Sequence, residues 1–218
     1  MSNIHVSSHP CVRAKLSQLR SSSASPRDTK ALVHEIATLL AADALASLTT
    51  VEVGESTTAL GATYTVEEIA QKVVLVPILR SGLGMLEAFN GLLPTPSAIH
   101  HLGLFREKAT LSPVEYYNNL PTSSSSTHPA DIAIILDPVI ATGGTAVAAI
   151  QTLKDWGVKK IVLCSILGAK AGVEHAAAEW PEGVQVLIGA VDPETNSKGM
   201  IVPGLGDIGD RLFLTIGK

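Results

Sequence analysis

An acid followed by a loop rich in glycine and threonine is the segment of this chain best suited to bind a phosphate. Asp137 comes directly after the apolar run IAIIL, and the loop after it consists of Pro138, Val139, Ile140, Ala141, Thr142, Gly143, Gly144 and Thr145. Consecutive glycines allow backbone amides to approach an anion, and the amino end of the following helix favours negative charge. The loop is therefore predicted to hold a monophosphate, while Asp137 accepts hydrogen bonds from the hydroxyls of an attached ribose.

Other interpretations of the glycine-containing segments fit less well. The loop after Asp137 has no lysine at the spacing of a nucleoside-triphosphate loop, which disfavours kinase and ATPase chemistry. The segment GLGMLE at 82–87 lacks the third glycine of a dinucleotide fingerprint, and no strand-end acid follows about 20 residues later. A helix-capping turn without a ligand is the remaining alternative for the loop.

A second anion-binding turn is predicted after the apolar run VVLVPIL. Arg80, Ser81 and Gly82 follow this run directly. The guanidinium of an arginine offers a planar fork of donors that matches phosphate oxygens, and glycine lets the backbone come close. Pyrophosphate is the expected ligand. We also expect a strained peptide in this turn, because such strain collects at ligand clamps.

A third loop, MIVPGLGDIGD at 200–210, has the composition of a shaped turn with accessible backbone. Main-chain NH and carbonyl groups held in a rigid turn can bind the edge of a ligand that presents carbonyl acceptors and NH donors, without a special side chain. A tight turn without a ligand is the alternative.

These segments resemble the signatures of the uracil phosphoribosyltransferases, a family of type I phosphoribosyltransferases. DPVIATGGT resembles the phosphoribosyl pyrophosphate signature, with Pro138 where the wider superfamily usually carries a second acid. MIVPGLGDIGD resembles the uracil-binding signature, and HPCVRAKLSQLR resembles the opening helix of the family. The resemblance covers roughly the whole chain and is strongest from Val73 onward.

The resemblance implies a role for each site residue. Arg80 contacts pyrophosphate. Arg106, which from sequence alone is better explained as a solvated loop charge, is implied by the resemblance to reach the pyrophosphate from a mobile loop, with Lys108 as a lesser candidate. Ile201, Gly206 and Ile208 contribute backbone contacts to uracil. Asp207 faces the phosphoribosyl donor and its magnesium through water, so no direct protein ligand for the metal is expected. The candidate catalytic residues are Asp137, Arg106 and Asp207.

The implied reaction is pyrimidine salvage: uracil and phosphoribosyl pyrophosphate give UMP and pyrophosphate, with Mg²⁺ as cofactor. GTP is an implied activator, and a homodimer or homotetramer is the implied assembly. Three alternatives stay open at this point. One is a non-catalytic relative that senses uracil or nucleotides, another is a transferase for another base such as hypoxanthine or orotate, and the third is an inactive relative with an interaction or scaffold role.

The elements that must position these residues follow a clear alternation. The runs VVLVPIL, IAIIL, IVLCSIL and VQVLIGA indicate strands buried on both faces of a mostly parallel sheet. Segments with helical periodicity separate them, as in TAVAAIQTLKDW, which is expected to end at Gly157. We predict one α/β, doubly wound domain over 1–218 with the type I phosphoribosyltransferase fold, a small hood and a mobile loop.

Three other segments are assigned with less detail. Asp28 is expected to cap a helix that carries Leu32, Val33 and Ile36 on one face. Residues 49–66 are expected to form short strands and turns. The polar stretch from 105 to 131, which contains SSSST, is expected to be a surface loop.

The composition of the chain limits the kinds of partner that the protein is expected to bind. The formal net charge is −4, with acids and bases mixed along the chain, so no basic face for nucleic acid is expected. The longest apolar run is too short to cross a bilayer, and the start of the chain has no leader pattern. The two cysteines, Cys11 and Cys164, suggest reduced thiols in a cytoplasmic protein.

Overall fold

Strands and helices are interspersed along the chain. The computed structural model describes residues 3–106, 113–121 and 129–215. The strands are β1 (Ile4–Val6), β2 (Thr50–Thr57), β3 (Thr63–Ile69), β4 (Val73–Leu79), β5 (Ala98–Ile99), β6 (Leu102–Arg106), β7 (Pro113–Asn118), β8 (Ile132–Leu136), β9 (Val139–Ile140), β10 (Lys160–Ala169), β11 (Val184–Asp192), β12 (Glu194–Thr195) and β13 (Ile201–Val202). The helices are α1 (Pro10–Arg20), α2 (Pro26–Leu45), α3 (Leu83–Asn90), α4 (Gly144–Trp156), α5 (Lys170–Ala178) and α6 (Ile208–Phe213).

The four apolar runs form the centre of one sheet. Its strand order is β1-β11-β10-β8-β4-β6-β7, with β5 beside β4 and β9 beside β10. Neighbouring strands are parallel, except that β6 and β7 are antiparallel. Leu75 pairs with Ile134, which pairs in turn with Val162. The predicted mostly parallel α/β sheet is confirmed.

Helices cover both faces of this sheet. Ile134 packs in a hydrophobic cluster with residues of α1, α2 and α3, while the next residue, Ile135, packs with residues of α4 and α5 on the opposite side. Both side chains are almost fully buried, and burying an isoleucine contributes about 2 kcal/mol. Burial on both faces explains why these strands are apolar without alternation.

Two helix ends show how local chemistry sets the element boundaries. Helix α4 ends at Gly157, which has the left-handed φ of 97°, as its sequence predicts. The predicted cap of α2 is wrong, since the helix begins at Pro26 and Ser25 is the N-cap. The Ser25 hydroxyl accepts a hydrogen bond from the Asp28 NH. Asp28 therefore lies in the first turn, where its charge suits the helix dipole.

The hairpin of β2 and β3 accounts for the strands expected over 49–66. These two strands pair antiparallel and apart from the main sheet, and nearly all their side chains are exposed. Strands β4, β8, β10 and β11 were also predicted, whereas the short strands elsewhere in the chain were not, among them β1 and β7. Both are at the ends of the sheet order, and β7 lies in the segment expected to be a loop. Their side chains are mostly exposed, so they lack the buried apolar pattern that identifies an inner strand.

The two cysteines are free thiols, Cys11 exposed and Cys164 buried. Burial raises the pKa of the Cys164 thiol, which keeps it protonated and inert. Within the described residues, no helix combines the length and the apolar character that a membrane span requires.

Candidate active site

Two of the predicted segments lie next to each other at the switch point of the sheet, where the chain changes the side on which it adds the next strand. From β4 the chain passes to β6 on one side, and from β8 it passes to β10 on the other side. Ligands of open parallel sheets bind in the crevice outside the carboxyl ends of strands at such a switch point. Arg80 follows β4 and Asp137 follows β8, so both begin the segments that border this crevice.

The turn after β4 packs directly against the end of β8. A Cβ atom added to Gly82 would lie 2.2 Å from the Leu136 carbonyl oxygen and 2.6 Å from the Ile78 nitrogen. Only glycine fits there without displacing the backbone. The Gly82 NH donates to the Ile78 carbonyl at 2.9 Å, and the peptide bond between Leu79 and Arg80 is cis. Gly82 thereby joins the arginine turn to the strand that carries Asp137.

The predicted phosphate loop connects β8 with the amino end of α4. Asp137 is buried, with 7% of its surface exposed, and its NH donates to the Cys164 carbonyl at 3.2 Å. Gly143, the N-cap of α4, has a φ of 85°, and no side chain caps this helix. The amides of the first turn are therefore free of a side-chain cap, as an anion site requires. Ile140 is 2% exposed and belongs to the hydrophobic core, which leaves only its backbone for a ligand.

Helix α5 supports the phosphate loop, a contact that sequence analysis missed. A Cβ atom on Gly172 would lie 2.1 Å from the Ala141 carbonyl oxygen, so the loop rests on the helix backbone. His175 Nδ1 lies 3.3 Å from the carbonyl oxygen of Thr142. The sequence does contain a signal for this contact, a glycine near the start of a helix in AKAGVEH. Glycine lowers the stability of a helix, so a glycine at this position indicates that another part of the chain packs closely against it.

The third predicted loop ends in helix α6. Asp207 is the N-cap of this helix, and its carboxylate accepts a hydrogen bond from the Asp210 NH at 3.0 Å. Asp207 and Gly206 are exposed, whereas Ile201 and Ile208 are buried. Gly206 has a left-handed φ of 80°. The loop therefore presents its acid and backbone outward and anchors its apolar side chains inward.

Arg80 reaches the helix that follows this loop. Its guanidinium lies 3.5 Å from Asp210 and donates to the Thr215 hydroxyl at 3.2 Å. Half of the Arg80 side chain is exposed, so the ion pair is weak. An anionic ligand can compete for this guanidinium at small cost.

A cleft of about 310 Å³ lies between these segments. It is lined by Leu79, Arg80, Ser81, Leu104, Phe105, Tyr116, Val139, Met200, Gly206, Asp207, Ile208 and Gly209. The arginine turn and the 200–210 loop thus share one cleft. Asp137, Ile201 and the segment 142–145 do not line it, although Val139 does. A larger cavity of about 620 Å³ lies at the amino ends of β8, β10 and β11 and contains none of the predicted residues.

Arg106 is only partly described. It is the last residue of β6, where its backbone pairs with Pro113 of β7. Lys108 and the rest of 107–112 lie outside the described residues, as does the SSSST tract. Within the described ranges, no group of three histidine, cysteine or carboxylate side chains is arranged to hold a metal ion.

Comparison with known proteins agrees with this architecture. Residues 6–215 match the sequence model of the family described as uracil phosphoribosyltransferase. A uracil phosphoribosyltransferase of Roseiflexus sp. (strain RS-1) is 42% identical over 215 residues, which cover 99% of this chain and 100% of the relative. One from Desulfitobacterium hafniense (strain DCB-2) is 41% identical over 216 residues, with the same coverage. The solved structure of the AQ2163 protein from Aquifex aeolicus superposes with a TM-score of 0.88 at 32% identity and covers 97% of this chain and 98% of its own.

The loop after Asp137 and the turn with Arg80 follow the two strands on either side of the switch point of a mostly parallel sheet, the fold predicted for a type I phosphoribosyltransferase. Within this class, the family match specifies the base, which is uracil. The chain belongs to the uracil phosphoribosyltransferase family, which makes it a pentosyltransferase.

Proposed function

We propose that this enzyme makes UMP and pyrophosphate from uracil and phosphoribosyl pyrophosphate in the cleft between the arginine turn and the 200–210 loop. The observation that carries the proposal is that Arg80 from one predicted motif and Asp207 and Ile208 from another line the same cleft. Cationic donors for pyrophosphate thus face backbone groups suited to a pyrimidine.

The phosphoribosyl donor is assigned to the segment after β8. Its 5′-phosphate binds at the amino end of α4, where Thr142, Gly143, Gly144 and Thr145 offer amides and hydroxyls. Asp137 accepts hydrogen bonds from the ribose hydroxyls. Its burial supports this role, because a carboxylate in a low-dielectric setting forms stronger hydrogen bonds.

The pyrophosphate is assigned to Arg80, Ser81 and Gly82, with Arg106 as a second cation. Magnesium fits this site as a substrate-held ion: Asp207 offers one exposed carboxylate, and Mg²⁺ commonly keeps several waters and binds through one or two carboxylates and substrate phosphates. When bound, the ion neutralises charge on the leaving pyrophosphate.

Uracil is assigned to the backbone of Ile201, Gly206 and Ile208. A ring nitrogen of uracil attacks the anomeric carbon of the ribose with inversion, the bond from that carbon to the pyrophosphate oxygen breaks, and the proton of the ring nitrogen is taken up by the released pyrophosphate. Positive charge develops on the ribose, so the contribution of the protein is positioning and electrostatics. The step needs no covalent enzyme intermediate.

Replacing Asp137 with Asn tests this assignment. We expect kcat for UMP formation to fall about a hundredfold, because the transition state loses one charged hydrogen-bond partner. The measurement is UMP formation from radiolabelled uracil, phosphoribosyl pyrophosphate and Mg²⁺, run beside orotate, hypoxanthine and cytosine. Asp155→Asn, an exposed acid on α4, is the matched control. Near-normal turnover of the Asp137 variant at saturating substrates would contradict the ribose-holding role.

The nucleotide-sensing alternative predicts binding without turnover. The residues that the catalytic role requires are present in the sequence, and the relatives compared carry the name of the transferase. Both facts favour catalysis. Intact donor binding with no turnover on any base would favour the sensor.

Three further properties belong to the proposal. We place the enzyme in the cytoplasm, as its two free thiols suggest. GTP acts as an activator, which kinetic assays with and without GTP test.

The enzyme forms a homodimer or homotetramer, and the exposed apolar side chains of the β2–β3 hairpin support such an assembly. These side chains are Val51, Val53, Leu60 and Tyr64.

A further inference from the structure

An ion pair outside the predicted motifs lies next to the 200–210 loop. Arg20, the last residue of α1, donates to both carboxylate oxygens of Asp192, the last residue of β11, at 2.7 and 2.6 Å. Such a two-pronged pair is the strongest geometry for arginine and a carboxylate. The Asp192 side chain is 8% exposed and that of Arg20 is 25% exposed, so solvent screens the pair only weakly.

Both partners also bind the backbone of the loop at one residue. Arg20 Nη1 donates to the Gly204 carbonyl at 2.7 Å, and the Gly204 NH donates to Asp192 Oδ2 at 2.9 Å. The two polar groups of Gly204 are therefore held by opposite charges. This residue lies between Ile201 and Gly206, the positions assigned to uracil, so its placement sets the path of the backbone on both sides.

Arg211 ties the same loop to the same helix end. Its Nη1 donates to the carbonyls of Leu19 and Leu205, each at 2.7 Å, and its Nη2 donates to the Ser21 carbonyl at 3.1 Å. Leu19 and Ser21 flank Arg20, and Leu205 follows Gly204. Two arginines thus hold the carboxyl end of α1 and the centre of the loop as one unit.

A buried ion pair taken as a whole yields little net stability, because desolvation of the charges offsets much of their attraction, although removing one partner leaves the other charge unpaired and destabilises the fold. The pair instead fixes geometry: besides each other, Arg20 and Asp192 both bind Gly204. We infer that Arg20 and Asp192 are positioning residues that set the affinity of the enzyme for uracil by fixing the backbone of the 200–210 loop. The inference rests on the uracil-binding role proposed for that loop.

The steady-state KM values for the two substrates test the inference. We expect Arg20→Lys and Asp192→Asn each to raise KM for uracil about tenfold. Each substitution removes a charged hydrogen bond, either between residues 20 and 192 or to Gly204. KM for phosphoribosyl pyrophosphate stays within about twofold, since the phosphate loop belongs to β8 and α4 and Asp207 is held at the start of α6 rather than by Arg20 or Asp192. If these residues only stabilised the fold, their substitution would change the KM values for uracil and for phosphoribosyl pyrophosphate alike.

Lys15→Gln is the matched control. Lys15 is on the same helix and forms an ion pair of 2.6 Å with Glu35 of α2, away from the loop. We expect both of its KM values to equal those of the unmodified enzyme. Circular dichroism and KM for phosphoribosyl pyrophosphate establish that the Arg20 and Asp192 variants are folded.

Two outcomes separate failure of the inference from failure of the loop assignment. Folded Arg20 and Asp192 variants with an unchanged KM for uracil, or with equal rises for both substrates, overturn the inference. Gly206→Val tests the loop itself, because valine is strained at a φ of 80°. An unchanged KM for uracil in that variant overturns the assignment of uracil to the loop.

Discussion

Two acids of the site differ in exposure, and the difference matches their proposed roles. Asp137 is buried at the end of β8, while Asp207 is exposed at the start of α6. A buried carboxylate holds neutral hydroxyls in fixed geometry, whereas an exposed one can bind a hydrated cation.

At the same scale, Asp192 is predicted to make the protein sensitive to acid. Burial by itself would raise the pKa of this carboxyl, but the hydrogen bonds from Arg20 and the Gly204 NH outweigh burial and lower the pKa. The carboxylate therefore stabilises the fold fully at pH values above its unfolded pKa. This contribution is lost as the pH falls through the lower folded pKa.

The test compares Asp192→Asn with the unmodified protein in urea unfolding at neutral and acidic pH. We expect the variant to be about 2 kcal/mol less stable at pH 7, the magnitude typical of a hydrogen bond to a charged group. The difference should begin to shrink below about pH 4, where the Asp192 carboxyl of the unfolded chain takes up its proton, and should vanish once the folded carboxyl is protonated as well. Glu35→Gln, in an exposed pair, is the control. A difference independent of pH would show that the charge of Asp192 does not stabilise the fold.

At the scale of elements, the phosphate loop depends on α5 beneath it. The loop and the helix are separate in sequence, yet Gly172 and Ala141 touch through their backbones. We expect Gly172→Ala to displace the loop and raise KM for phosphoribosyl pyrophosphate about tenfold or more, because small misplacements of binding groups are costly. Steady-state kinetics measure the change.

Ala171→Ser, an exposed position on the same helix, is the control for this variant. We expect its KM values to be unchanged. If Gly172→Ala retained the normal KM for phosphoribosyl pyrophosphate, α5 would have no part in positioning the loop.

At the scale of the whole molecule, the β2–β3 hairpin leaves apolar side chains without cover. Val51 and Val53 are each about half exposed, and Leu60 is 96% exposed. We expect the double substitution Val51→Ser and Val53→Ser to reduce the mass of the assembly in sedimentation experiments, because the hairpin contributes little to the core. Exposed apolar patches of this kind favour association.

Leu92→Ser, with 43% exposure on another part of the surface, is the control and should leave the mass unchanged. A double variant with the same mass as the unmodified assembly would exclude these valines from the subunit interface.

The sequence alone determined the inner strands and the motifs that follow them. Strands β4, β8, β10 and β11 are buried on both faces, so their apolar runs are visible without any tertiary information. The loop after Asp137 and the turn after Leu79 could be identified because glycine and charged residues at strand ends have local geometric requirements. By contrast, the exposed edge strands β1 and β7 leave no buried pattern and were missed.

The tertiary structure alone decided which distant residues meet. Arg20, Asp192 and Gly204 lie far apart in sequence, and Gly172 supports a loop that ends before it. Periodicity and turn chemistry report on neighbours along the chain and on burial, while contacts across the fold follow from strand order and helix packing. The motifs were thus predictable one by one, whereas the residues that hold them in place became visible only once the sheet brought α1, β11 and the 200–210 loop together.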